Sequence, residues 1–132
     1  MSYVYLFYVE NLHRPLSHPT LCLMFTRSLV GASLRPLLLS ILAGGEAYGY
    51  QIIQGVQKLS GGHIHWTTGT LYPLLHRLEN EGLITSIWRE GAAAPRRKYY
   101  ALTPKGERAL AAEKQQWVSM HAIMMQLWNP AS

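Results

Sequence analysis

Three features of the sequence predict a mostly α fold with a small β-hairpin, the arrangement of a winged helix-turn-helix plus a C-terminal dimerisation helix. Residues 34–82 contain three short segments with helical apolar spacing, residues 83–103 contain two runs of strand character, and residues 104–128 form one long amphipathic stretch. The length of 132 residues suits one such domain rather than two independent ones.

The chain divides into residues 1–33, 34–103 and 104–132: an atypical N-terminal extension, a winged helix-turn-helix, and the C-terminal dimerisation helix. In the extension, the aromatic run from Tyr3 to Val9 and the prolines Pro15 and Pro19 follow neither a helical nor a strand period. Met24 stands shortly before the first periodic segment and is an alternative start to Met1. Leu34, Leu37, Leu38, Ile41 and Leu42 then give the i, i+3, i+4, i+7, i+8 spacing of a helix that Gly44 and Gly45 end. A second helix opens near Tyr48 and Gly49, carries Ile52, Val56 and Leu59 on one face, and closes at Ser60-Gly61-Gly62. The third starts at Thr67 or Thr68, both good N-caps, and aligns Leu71, Leu74, Leu75 and Leu78 before Gly82. Pro73 interrupts its hydrogen-bond ladder.

Past Gly82 the period changes. Leu83 to Arg89 and Arg97 to Thr103 are rich in β-branched and aromatic residues and read as antiparallel strands, joined by a loop over Glu90 to Arg96 that is longer than a tight turn. Thr103-Pro104 supplies an N-cap and a proline at the first helical position, and the helix runs to about Trp128.

Composition narrows the class of function. Twelve Lys and Arg against seven acidic residues, all Glu, give a net charge of +5 and favour a polyanionic partner. Charged residues make up only 14%, well under the usual quarter, which points to surface covered by a second subunit. The lone Cys22 excludes an internal disulfide framework and fits a reducing cytoplasm. No apolar run is long enough for a membrane span. With no Asp, no nucleophile elbow, no phosphate loop and no paired carboxylates, the sequence does not read as an enzyme and calls for no cofactor. His63-Ile64-His65 would place two imidazoles on one strand face, but nothing nearby completes a metal site, so none is expected.

The order of elements suggests how a polyanion would be held. In a winged helix-turn-helix the third helix enters the DNA major groove and the hairpin lies against the backbone. With the leucines of the third helix turned to the core, Thr68, Thr70, Tyr72, His76 and Arg77 are left for base edges and phosphates. Arg89, Arg96, Arg97 and Lys98 against Glu90 put three net positive charges on the hairpin, and Arg96, Arg97 and Lys98 are its expected phosphate contacts. A winged-helix module that binds another polypeptide and never touches DNA is the alternative, since the bare fold serves either role.

The run Thr68-Gly69-Thr70-Leu71-Tyr72-Pro73-Leu74-Leu75-His76-Arg77-Leu78-Glu79-Asn80-Glu81-Gly82-Leu83-Ile84 and the later Pro95-Arg96-Arg97-Lys98-Tyr99-Tyr100-Ala101-Leu102-Thr103-Pro104-Lys105-Gly106 resemble the PadR family of bacterial transcriptional regulators. Tyr48 to Ile53 and Leu59 to Gly62 fit the same pattern, and the single helix after the hairpin resembles the short-tailed branch. The resemblance implies a homodimer on a palindromic operator, acting as a repressor that a small molecule relieves.

Leu110, Trp117, Met120, His121, Met124, Leu127 and Trp128 fall along one stripe of the final helix, the expected dimer interface. The resemblance places Trp117 where multidrug-sensing members stack flat aromatic ligands. Its indole and the neighbouring methionines suit a small aromatic effector, and equally suit plain dimer packing.

Overall fold

The computed structural model describes residues 25–129. Most of the extension, with Cys22 and Met24, lies outside the described residues. The elements in chain order are α1 (Arg27–Ala43), β1 (Ala47–Tyr48), α2 (Gly49–Leu59), α3 (Thr68–Asn80), β2 (Ile84–Gly91), β3 (Ala94–Leu102) and α4 (Pro104–Trp128).

Helix α1 begins well before Leu34, because Thr26 caps it by accepting the Leu29 N–H at 3.2 Å. The apolar period becomes regular only where the helix meets the core, through the buried Leu38, Leu39 and Leu42. Pro36 therefore sits in the helix interior, where it withholds a hydrogen bond from the exposed Ala32 carbonyl, which solvent can satisfy.

Glycines end α2 and α3 in the same way. After Glu81, Gly82 takes φ +77°, its N–H donates to Glu79 O, and Leu83 N–H donates to Leu78 O. This closure satisfies the last carbonyls of α3, and a side chain at Gly82 would be strained. Gly61 (φ +63°) does the same for α2, with Gly62 N–H donating to Gln57 O at 2.8 Å. His63-Ile64-His65 lies in the irregular segment between α2 and α3, so the strand face expected for the two imidazoles is not formed.

The sheet has three antiparallel strands in the order β1-β3-β2. β1 escapes sequence reading because two residues carry no period; its pairing of Ala47 with Tyr100 and Tyr48 with Tyr99 extends the hairpin by one short strand. The hairpin loop is also tighter than expected. β2 and β3 run on to a Gly91–Ala94 pair, leaving only Ala92 and Ala93 in the turn, and a register shift between Arg89 and Gly91 absorbs the mismatch.

The core joins α1, α2, α3, the base of the sheet and the start of α4. Its largest fully buried side chains are Leu38, Leu39, Ile52, Leu71, Leu75, Leu78, Ile84 and Val56. Leu110 belongs to it as well, 4% exposed. This corrects its assignment to the interface stripe: at Leu110 α4 lies on the body of its own chain, and there the stripe is already covered. Farther along the helix Trp117, Met120, Met124, Leu127 and Trp128 stay exposed, while His121 is half-buried.

Candidate nucleic-acid interface

Helix α3 presents its polar side outward. Thr67 is the N-cap, its hydroxyl oxygen accepting the Thr70 N–H at 3.3 Å, and its own O–H lies 3.4 Å from Thr70 Oγ1. The cap therefore occupies the Thr70 hydroxyl, which is half-buried. Thr68, Tyr72, His76 and Arg77 are all exposed, with Asn80 continuing the row one turn beyond His76. Pro73 is also on this outer side, so the Gly69 carbonyl it leaves unbonded faces solvent and the helix carries the proline without a buried orphan.

Tyr72 is positioned by a close approach. A Cβ at Gly49 would come within 2.7 Å of the Tyr72 hydroxyl, so only glycine at the start of α2 lets that ring lie across it. At the same end of α2, Gln51 Oε1 accepts the Tyr48 N–H at 3.2 Å and anchors the first turn.

The hairpin divides its cations between two faces. Side chains alternate along a strand, and the register sets Ser86 opposite Tyr100 and Trp88 opposite Lys98. Ser86 O–H donates to Glu79 of α3, so the face bearing Ser86, Trp88, Arg96, Lys98 and Tyr100 is the one α3 packs against. Burial, reinforced by Tyr72 and Glu79, pushes the Tyr100 phenol above its ordinary pKa of 10.0 and keeps it neutral. Arg96 lies over the Trp88 ring at 4.7 Å from its centroid, and Lys98 Nζ over Tyr100 at 5.7 Å.

The opposite face carries Arg97 and Arg89. Arg97 lies 4.5 Å from the centroid of Tyr48, whose ring meets Tyr99 edge-on at 5.4 Å. Arg89 donates to Glu46 at 2.9 Å, which neutralises its charge. The structure thus brings Arg96 and Lys98 to the side of α3 and sets Arg97 on the far side of the same strand. Sequence reasoning misses the aromatic support for these cations, although strand alternation applied to residues 86–100 pairs the types correctly.

Behind the interface, one guanidinium joins three helices. Arg35 of α1 donates from Nε to Glu113 of α4 and from Nη1 to Glu81 at the end of α3, the latter at 2.7 Å. Burial opposes its charge, yet the bonds to Glu113 and Glu81 outweigh that and hold its pKa above the ordinary value. Lys105 Nζ donates to Glu81 O at 2.8 Å and Thr103 O–H to Gly82 O at 2.6 Å, so the C-terminus of α3 is bound to the start of α4.

A family model for the "Transcriptional regulator PadR-like family" matches residues 38–112, from the second half of α1 into the first half of α4. The chain belongs to the PadR-like family of transcriptional regulators. Among relatives of this PadR-like chain, the transcriptional regulator Rv3488 of Mycobacterium tuberculosis is 38% identical over 88 residues, covering 67% of this chain and 78% of that protein. The transcriptional regulator YqjI of Escherichia coli is 32% identical over 83 residues, 63% of this chain. The match spans only 38% of that longer protein. A PadR family transcription regulator from Clostridium difficile superposes with a TM-score of 0.67 at 34% identity, over 73% of this chain and 98% of its own. No helix among the described residues is long and apolar enough to cross a membrane.

Proposed function

We propose that this PadR-like chain is a sequence-specific DNA-binding repressor that acts as a homodimer on a palindromic operator. The observation that carries the reading is the shared side of α3 and the wing: the exposed Thr68, Tyr72, His76 and Arg77 stand beside the strand face that bears Arg96 and Lys98. The first set offers hydroxyl, imidazole and guanidinium groups for base edges, and the second offers charge for phosphates. A protein-binding module needs no such pairing.

The distal part of α4 supports the homodimer. Trp117, Met120 and Met124 follow one another at helical spacing with 42%, 52% and 38% of their surface exposed, a run of apolar surface that a monomer rarely leaves in water. A second copy related by a two-fold axis would bring the same stripe against itself. In this reading a small aromatic or hydrophobic effector enters beside Trp117, between the two copies, and relieves repression.

Replacing Arg96, Arg97 and Lys98 together by Gln tests the wing. Anisotropy over a salt series should show weaker binding to every duplex and a log K against log salt slope shallower by about one unit for each phosphate that the wing no longer neutralises. An unchanged slope would remove the wing from the interface and favour the protein-binding alternative. Trp117→Ala should abolish the response to effector and leave operator affinity within about threefold, a change of under about one kcal/mol.

A further inference from the structure

Among the described residues, the glutamates other than Glu107 each hold a partner. Glu46 pairs with Arg89, Glu79 with Ser86, Glu81 and Glu113 with Arg35, and Glu90 with Arg96. Glu107, in the first turn of α4, has no hydrogen bond or ion pair to its carboxylate.

That carboxylate stands on an open hollow of about 520 Å³ between the end of α1, β3 and α4. The floor is apolar, with Leu42 and Leu110 buried and Leu102 half-buried. Glu46 belongs to the same lining: it directly precedes the Ala47–Tyr100 pair and so adjoins Ala101. Both acids therefore flank the junction of β3 and α4. Lys114, the one cation of the lining, lies two turns beyond Glu107, about 10 Å farther along the helix axis. Trp117 and the exposed residues of α3 take no part in the hollow.

A hollow of this size suits a small molecule, held by apolar contact and oriented by a few charged groups. Two carboxylates repel phosphate, so this end of a chain with net charge +5 does not serve a polyanion. Its complement is an ammonium group on a hydrocarbon body. We propose that the hollow binds a small organic amine, its body on Leu42, Leu102 and Leu110 and its ammonium between Glu107 and Glu46. The ammonium competes with Arg89 for Glu46, so occupancy releases the Arg89 guanidinium that Glu46 holds at 2.9 Å.

Calorimetric titration of the full chain with phenethylamine, at fixed ionic strength and without DNA, tests the site apart from any DNA-binding reading. Saturable binding with a dissociation constant of about one millimolar is expected, ordinary for so small a ligand. Hydrocinnamate, the same body with a carboxylate, should not bind. Glu107→Gln should weaken the amine about tenfold, the scale of one charge-assisted hydrogen bond. Ala111, exposed on the lining, admits a larger side chain, and Ala111→Trp should fill the hollow and abolish binding. Arg89→Gln should bind the amine about threefold tighter, because Glu46 loses its competing cation from an exposed pair. No saturation by about ten millimolar, equal binding of hydrocinnamate, or undiminished affinity in either Glu107→Gln or Ala111→Trp overturns the site. Unchanged affinity in Arg89→Gln overturns the exchange at Glu46. Loss of the amine in Trp117→Ala, with Glu107→Gln unaffected, would place it on the distal stripe of α4 instead.

Discussion

Leu110 and Leu127 lie on the same helix, in the same apolar stripe, and meet opposite fates. Leu110 is 4% exposed, packed into the body of its own chain, whereas Leu127 is 73% exposed. Between them, Glu113 takes a hydrogen bond from Arg35, and beyond it Val118, His121, Ala122 and Met125 are half-buried while Trp117, Met120 and Met124 are exposed. Apolar spacing identifies a face that avoids water, but does not say which surface covers it. Leu110 is covered within the chain and His121 partly so, and the exposed residues of the stripe are what the proposed homodimer would cover.

Leucine truncations should separate the two parts most widely. Leu110→Ala should destabilise the folded chain by about 2–5 kcal/mol, through reduced burial and the cavity left behind. Leu127→Ala should change the stability of the dilute monomer by less than about 0.5 kcal/mol and weaken self-association. Urea unfolding and sedimentation velocity on the same samples distinguish the two effects. Equal loss of stability in both variants would erase the contrast between Leu110 and Leu127.

Gly106 sharpens the same contrast at the start of α4. A Cβ there would collide with the Leu83 carbonyl oxygen and press on the Leu102 side chain. Gly106→Ala should therefore lift α4 from the end of α3 and cost about 1–3 kcal/mol, the usual range for overpacking. The thermal midpoint should fall, whereas Gly31→Ala in α1, with no atom within 4 Å of the new Cβ, should leave it level or slightly raised.

A smaller effect belongs to Arg35. Arg35→Gln removes the charge that holds Glu113 and Glu81 and should cost about 1 kcal/mol, since the Glu81 arm is well exposed and screened and only the Glu113 arm is sheltered. Hydrogen exchange should quicken at the C-terminus of α3 and around Glu113 with little change in the sheet. Uniform acceleration across the chain would mean that Arg35 supports the whole fold rather than this junction.

Much of the architecture is legible in the sequence. Leu71, Leu74, Leu75 and Leu78 fix a helix face, Gly82 ends the helix, and Thr103-Pro104 opens the next, because each signal is local and strong. Sequence reading fails where tertiary packing decides. The first turns of α1 lack a regular apolar face because they lie beyond the core, and β1 is too short to show a period. The tight turn at Ala92-Ala93 lacks the Asn-Gly signature of a short hairpin, and the register shift before Gly91 makes it workable. Residue types alone mark the candidate site in the sequence; its division into two wing faces requires the strand register. Trp88 escapes notice because an aromatic residue in a strand ordinarily signals core, and here it is exposed.

The central claim is that the side shared by α3 and the wing reads a particular DNA sequence. Fluorescence anisotropy of the full chain on a duplex from the region upstream of its own coding sequence, against a scrambled duplex across a salt series, tests it most directly. Preference for the first duplex by about a thousandfold or more, with affinity falling steeply as salt rises, is the predicted result. Equal affinity for both duplexes with no dependence on salt would contradict it.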